Sequence, residues 1–110
     1  HEQLTALHIT DTMHERKAMM AELSDAFIAL PGGFGTFEEL MEAITWLQLG
    51  IHDKTVVVFN IDGYYDKLIE FIDGAVENKF ITKSNRSLLK TANNVDECLA
   101  HLPFLISRLP

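Results

Sequence analysis

Two carboxylates follow directly on a run of glycines in Pro31-Gly32-Gly33-Phe34-Gly35-Thr36-Phe37-Glu38-Glu39. The segment comes after the apolar run Ala26-Phe27-Ile28-Ala29-Leu30 and opens a helical pattern that reaches about Leu49. A strand, a glycine-rich turn and a helix start, in that order, bring unpaired backbone N–H groups and the positive end of a helix dipole to one point. Glycine lets a chain turn tightly and lets a ligand come close to the backbone. The anion that suits such a cradle is a phosphate, held within one helical turn of Glu38 and Glu39. The same residues also fit a plain tight connection. The dinucleotide fingerprint fails because Glu38 stands where its third glycine belongs, and no Gly-Lys-Ser/Thr follows to make a P-loop.

Thr36 and Glu39 have the spacing of a capping box, in which Glu39 would reach back to the Thr36 N–H. The spacing favours that cap; the other reading turns Glu39 toward the ligand. Glu38 lies about 100° further round a helix and suits solvent or a pair across an interface. A second group, Met13-His14-Glu15-Arg16-Lys17, concentrates cations in an acidic chain. Arg16 can grip a carboxylate or phosphate through two parallel hydrogen bonds, and Lys17 can add a point charge. An ordinary charged helix face would look the same. His14-Glu15 starts like the zinc signature H-E-x-x-H, but Ala18 occupies the second ligand position. The remaining histidines have no ligand spacing, so no metal site and no cofactor is expected.

These residues need elements to hold them. Thr5–Thr10 reads as a short strand. The capping-box pattern Thr12-Met13-His14-Glu15 starts a helix to about Leu23. Ala26–Leu30 is a strand apolar enough to be covered on both faces. A helix over Phe37–Leu49 stops near Gly50. Thr55–Ile61 is the next doubly buried strand. Asp62 is placed to cap a helix from Tyr64 to about Lys79, with Tyr64, Leu68, Phe71, Ile72, Ala75 and Val76 at helical spacing. Ser87–Ala92 is a last short strand. Asn94-Val95-Asp96-Glu97 caps a final helix to about Leu102, ended by Pro103. Strands alternating with helices imply an α/β fold, a Rossmann-like parallel sheet with helices on both faces. Ligands in such folds sit at the C-terminal ends of the strands, where Pro31–Gly35 falls. The first residue is His1 and the sheet is thin, so one or more N-terminal strands are expected ahead of this single domain, residues 1–110.

Composition narrows the partners. The chain has 110 residues, 47% apolar, and a formal net charge of −7. A folded core is expected rather than disorder. The acidic balance disfavours nucleic acid and anionic membranes. Cys98 is the only cysteine, which fits a reducing, cytoplasmic compartment. The helix around Trp46 is apolar beyond one stripe, at Phe37, Leu40, Met41, Ala43, Ile44, Trp46, Leu47 and Leu49. A symmetric dimer would cover the excess; a position internal to a larger domain would do so as well.

Taken together, Met13–Lys17 and Pro31–Glu39 closely resemble the paired motifs of the LOG ("lonely guy") family. Ile44-Thr45-Trp46-Leu47-Gln48-Leu49-Gly50-Ile51-His52 and Asp62-Gly63-Tyr64-Tyr65 extend the resemblance over essentially the whole chain. It implies a homodimeric phosphoribohydrolase that frees the base of nucleoside 5′-monophosphates, AMP or N6-prenylated AMP, as in cytokinin formation. It assigns catalysis to Arg16 and Glu39. It also implies that Lys17 and the turn residues Gly32, Gly33, Phe34, Gly35 and Thr36 bind the nucleotide, with Thr45 lining the site. Many members of the family carry the label "lysine decarboxylase"; no pyridoxal phosphate site is evident in the sequence, and Lys17 stands in a phosphate-type setting. A nucleotide-binding sensor without catalysis is the alternative function.

Overall fold

The structure, a computed structural model, describes residues 26–102. The expected strand at Thr5–Thr10 and the helix carrying Arg16 and Lys17 lie outside these residues. Three strands form one parallel sheet: β1 (Ala26–Ala29), β2 (Thr55–Phe59) and β3 (Leu89–Ala92), in the order β1-β2-β3. Ala26 stands opposite Thr55 and Ala29 opposite Val58; Val56 stands opposite Leu89 and Phe59 opposite Ala92. Four α-helices accompany them among the described residues: α1 (Phe34–Gln48), α2 (Asp66–Glu77), α3 (Lys83–Arg86) and α4 (Val95–Ala100).

The middle strand explains the layers. Val56, Val57 and Val58 of β2 are all 0% exposed. Successive side chains of a strand point to opposite faces, so both faces must be covered. Val56 and Val58 pack with Leu40 and Ala43 of α1, Leu89, Tyr65 and the apolar positions of α2. Val57 packs on the other side with Ala92, Cys98 of α4 and Leu102. Each buried valine contributes about 1.5–3 kcal/mol relative to exposure. A charge at Val57 would have neither water nor a partner and would break the sheet. Burial pushes the Cys98 thiol up from its ordinary value, so it behaves as a small apolar residue. Coverage of β1 is less complete, with Ile28 exposed.

Several boundaries differ from the sequence expectation, each for a local reason. Helix α1 begins at Phe34, with Gly33 as N-cap and no side-chain cap. The Phe37 N–H already bonds the Gly33 carbonyl at 3.0 Å. Thr36 therefore sits inside the first turn, and the Thr36–Glu39 capping box does not form. At its other end α1 closes as expected at Gly50, whose φ is +78°; Gly50 and Ile51 donate to the Leu47 and Trp46 carbonyls, a Schellman closure.

Strand β2 ends at Phe59 rather than Ile61 because Ile61–Gly63 is a 3₁₀ turn, in which Asp62 takes φ 53°. Asp62 does not cap α2; the Asn60 carbonyl oxygen of the side chain instead accepts from the Tyr65 N–H at 2.7 Å. Helix α2 closes with the same Schellman pattern as α1, Lys79 and Phe80 donating to Val76 and Ala75, although Lys79 is the residue at φ 68°. The short α3, capped by Thr82, was not expected. The Asn94 cap forms as read, accepting from the Glu97 N–H at 2.8 Å, while Glu97 reaches back one residue further than in a capping box, to the Asn93 N–H at 2.7 Å.

Candidate active site

The Gly-rich turn leaves the C-terminal end of β1 and enters α1 directly. Its glycines do not share one purpose. None has a positive φ, so the turn itself does not demand glycine. A Cβ on Gly32 would lie 2.2 Å from the Thr36 Oγ1, so Thr36 fills the space a side chain would need. A Cβ on Gly33 or Gly35 would meet nothing within 4 Å. At those two positions the missing side chain opens the backbone to the outside, at the end of the helix where N–H groups have no intrahelical partner. The Gly33 N–H makes no hydrogen bond among the described residues.

A cleft of about 300 Å³ runs along β1 beside this turn, lined by Phe27, Ile28, Ala29, Leu30, Thr36, Glu39 and Leu40, while Gly32, Gly33, Phe34 and Gly35 do not line it. That is the lower end of the range for small-molecule sites. Thr36, Glu39 and Leu40 share one face of α1 because residues three and four apart are neighbours on a helix. Glu39 is exposed and makes no hydrogen bond or ion pair among the described residues, so its carboxylate is available to the cleft. Glu38 is exposed on another side of the helix and does not line the cleft. The N-cap Gly33 and Glu39 are six residues apart, about 9 Å along the helix axis, a span comparable to a ribose with a contact at either end.

Phe34 projects from the first turn of α1, 91% exposed, with its ring 6.2 Å from Phe37 in edge-to-face contact. Thr45 is exposed and is not among the residues lining the cleft. Its distance from Glu39 along the helix, six residues, turns it about 240° away. Arg16 and Lys17 lie outside the described residues. Among the described residues no group of three His, Cys, Asp or Glu side chains could hold a metal ion.

The sequence reading missed what holds the turn. Tyr65 is 1% exposed, and its hydroxyl donates to the Leu30 carbonyl at 2.5 Å. The Tyr64 hydroxyl donates to the Gly32 carbonyl. Burial, with Tyr64 close by, pushes the Tyr65 phenol up from its ordinary value, so it remains a donor. Rings run from Tyr64 to Tyr65 at 4.9 Å and from Tyr65 to Phe37 at 6.3 Å. Asn60, also buried, anchors this loop to the sheet. It bonds Asp66 at 2.7 Å and, through its N–H, the Ala92 carbonyl of β3 at 2.7 Å. Helical spacing marked Tyr64 only as an apolar position. The signal available was two hydroxyl-bearing rings just after an Asp-Gly turn at a strand end.

A parallel sheet with helices on both faces and a glycine-rich turn opening a helix at a strand's C-terminal end define a Rossmann-like α/β fold. A family model described as "Possible lysine decarboxylase" matches residues 1–102, and the chain belongs to that family. Both motif segments that resemble the LOG proteins fall within the match. The chain is 58% identical to a cytokinin riboside 5′-monophosphate phosphoribohydrolase of Arabidopsis thaliana over 90 residues, 82% of this chain and 42% of that protein. It is 54% identical to a second Arabidopsis thaliana enzyme of that name over 96 residues, 87% of this chain and 45% of the relative. A probable enzyme of the same name from Oryza sativa subsp. japonica is 59% identical over 90 residues, 82% of this chain and 36% of the relative. The chain thus spans less than half the length of these relatives. No described helix is long and apolar enough to cross a membrane.

Proposed function

We propose that the protein is a nucleoside 5′-monophosphate phosphoribohydrolase acting on AMP or an N6-prenylated AMP, and that residues 1–110 belong to a single domain of this type. The observation that carries the reading is the placement of Glu39, with Thr36, on the wall of a cleft beside the glycine-rich turn. The names of the relatives support the same reaction class, and support it over the decarboxylase wording of the family description.

In the proposed reaction the 5′-phosphate sits at the start of α1, against Gly33, Phe34, Gly35 and Thr36, with Gly32 shaping the turn beneath and Lys17 adding charge. Anchoring the phosphate fixes where C1′ lies, so binding energy from a group that does not react positions one that does. The bond from C1′ to the base nitrogen breaks, and its electron pair leaves with the base. Positive charge builds on the sugar ring, as in glycoside hydrolysis. The Glu39 carboxylate stabilises that charge and orients the water whose oxygen bonds to C1′. One proton of the water ends on the base, giving free base and ribose 5-phosphate. Arg16 is assigned to the same site, where its guanidinium would orient Glu39 or contact the sugar and phosphate.

A homodimer and a cytoplasmic location belong to this proposal. Helix α1 buries only Leu40 and Ala43 and leaves Phe34, Met41 and the adjacent Leu49 exposed, which supports an apolar partner face. Thr45 would reach a site through such an interface rather than within its own cleft. Incubating the purified protein with AMP and with an N6-prenylated AMP tests the function. Free base and ribose 5-phosphate in equal amounts are expected. Intact nucleotide retained at stoichiometric occupancy would replace the enzyme with a nucleotide sensor.

A further inference from the structure

We propose that Tyr64 and Tyr65 are positioning residues for the phosphate, acting by fixing which way the peptide groups of the turn face; this rests on the function proposed above. In a trans peptide the C=O and the following N–H point in opposite directions. The Tyr64 hydroxyl holds the Gly32 carbonyl, so the Gly33 N–H is directed away from Tyr64. Rotating that one peptide would present a carbonyl where an N–H is needed, and a carbonyl repels a phosphate. The preceding peptide raises the same problem in a sharper form. Pro31 has no N–H, so the Leu30–Pro31 peptide offers a ligand only a carbonyl. The buried Tyr65 hydroxyl takes up that carbonyl. Two carbonyls of the turn, those of Leu30 and Gly32, are thus occupied by hydroxyls from the β2–α2 loop, which fixes the peptide that presents the Gly33 N–H.

The arrangement is braced from behind. Asn60 holds the Tyr65 N–H and ties the loop to Asp66 and to β3. The edge-to-face packing of Tyr65 against Tyr64 and Phe37 restricts both rings. Tyr64 itself is 49% exposed, so its hydroxyl is not needed to satisfy a buried group. Water can replace it on the Gly32 carbonyl, and the fold tolerates the loss.

That difference makes Tyr64→Phe the test. Kinetics with the nucleoside 5′-monophosphate, inhibition by ribose 5-phosphate and turnover of the riboside without phosphate are compared with the parent. KM and the inhibition constant are expected to rise together by about three- to tenfold, the worth of one hydrogen bond. The riboside rate and the unfolding midpoint stay at the parent's values. Tyr65→Phe should show the same loss of phosphate affinity together with a lower unfolding midpoint, because it strands a partly enclosed carbonyl. An unchanged inhibition constant for Tyr64→Phe, or an equal loss with the riboside, overturns the positioning role and leaves the enzyme reading intact. If the parent releases no base, calorimetric titration of parent and variant with ribose 5-phosphate decides the matter separately. Weaker binding by the variant upholds the inference while the hydrolase reading falls, and a parent that binds no ribose 5-phosphate overturns both.

Discussion

Gly33→Ala separates a ligand-driven glycine from a fold-driven one, because it should change binding far more than stability. Gly33 has φ −112° and ψ −150°, so its φ is not in the left-handed region that requires glycine. Its added methyl would meet no atom within 4 Å. A Gly→Ala change lowers the entropy of the unfolded chain, worth about 0.4–1 kcal/mol, but alanine is a poorer N-cap than glycine by about as much, so stability should change little. Binding changes far more. The methyl would stand between the turn and the phosphate, and a hydrogen bond to a charged group contributes about 1.5–3 kcal/mol. Loss of one such bond weakens binding by about 10- to 150-fold. The assay is inhibition by ribose 5-phosphate measured beside urea unfolding at one protein concentration. Gly32→Ala is the control: its methyl collides with Thr36 and should destabilise by about 1–3 kcal/mol. Parent-like inhibition by ribose 5-phosphate in a stably folded Gly33→Ala protein would refute the cradle. A large loss of stability would refute the open geometry of the turn.

Glu39→Gln keeps the shape of the side chain and removes its charge, so the rate of base release should fall by about 10²- to 10⁴-fold while ribose 5-phosphate still binds; equal rates would end the assignment. Lys79→Gly should raise stability by about 0.5–1 kcal/mol, because Lys79 holds a left-handed conformation that only glycine adopts without strain; a lower urea midpoint would contradict this.

The α/β alternation and the doubly covered β2 were legible because apolar runs and helical spacing are repeated over many residues. The Asn94 cap was legible because its partner lies within four positions. The start of α1 was misread for an instructive reason. Thr36-x-x-Glu39 has the cap spacing, while Phe34-Gly35 has poor helix propensity, so the pattern pointed three residues too late. Once Gly33 is the N-cap, Glu39 no longer reaches backward and becomes part of the cleft wall. Asp62 was read as a cap from residue type alone, yet its φ of 53° places it in a turn, and α2 starts after Tyr65 with no side-chain cap. Four residues of α3 are too few for periodicity to show. The hydroxyl contacts of Tyr64 and Tyr65 span more than thirty positions to the turn, beyond any local pattern.

The total enclosure of Val56, Val57 and Val58 has a bearing on how such a protein can diversify. With no outward-facing position, that stretch has nothing to offer recognition, and any change in it disturbs packing above and below at once. Novelty is confined to where the chain emerges, beginning at Ile61 beyond the buried Asn60. Selectivity for one base over another can then be rewritten in the exits of the strands while the floor beneath stays the same.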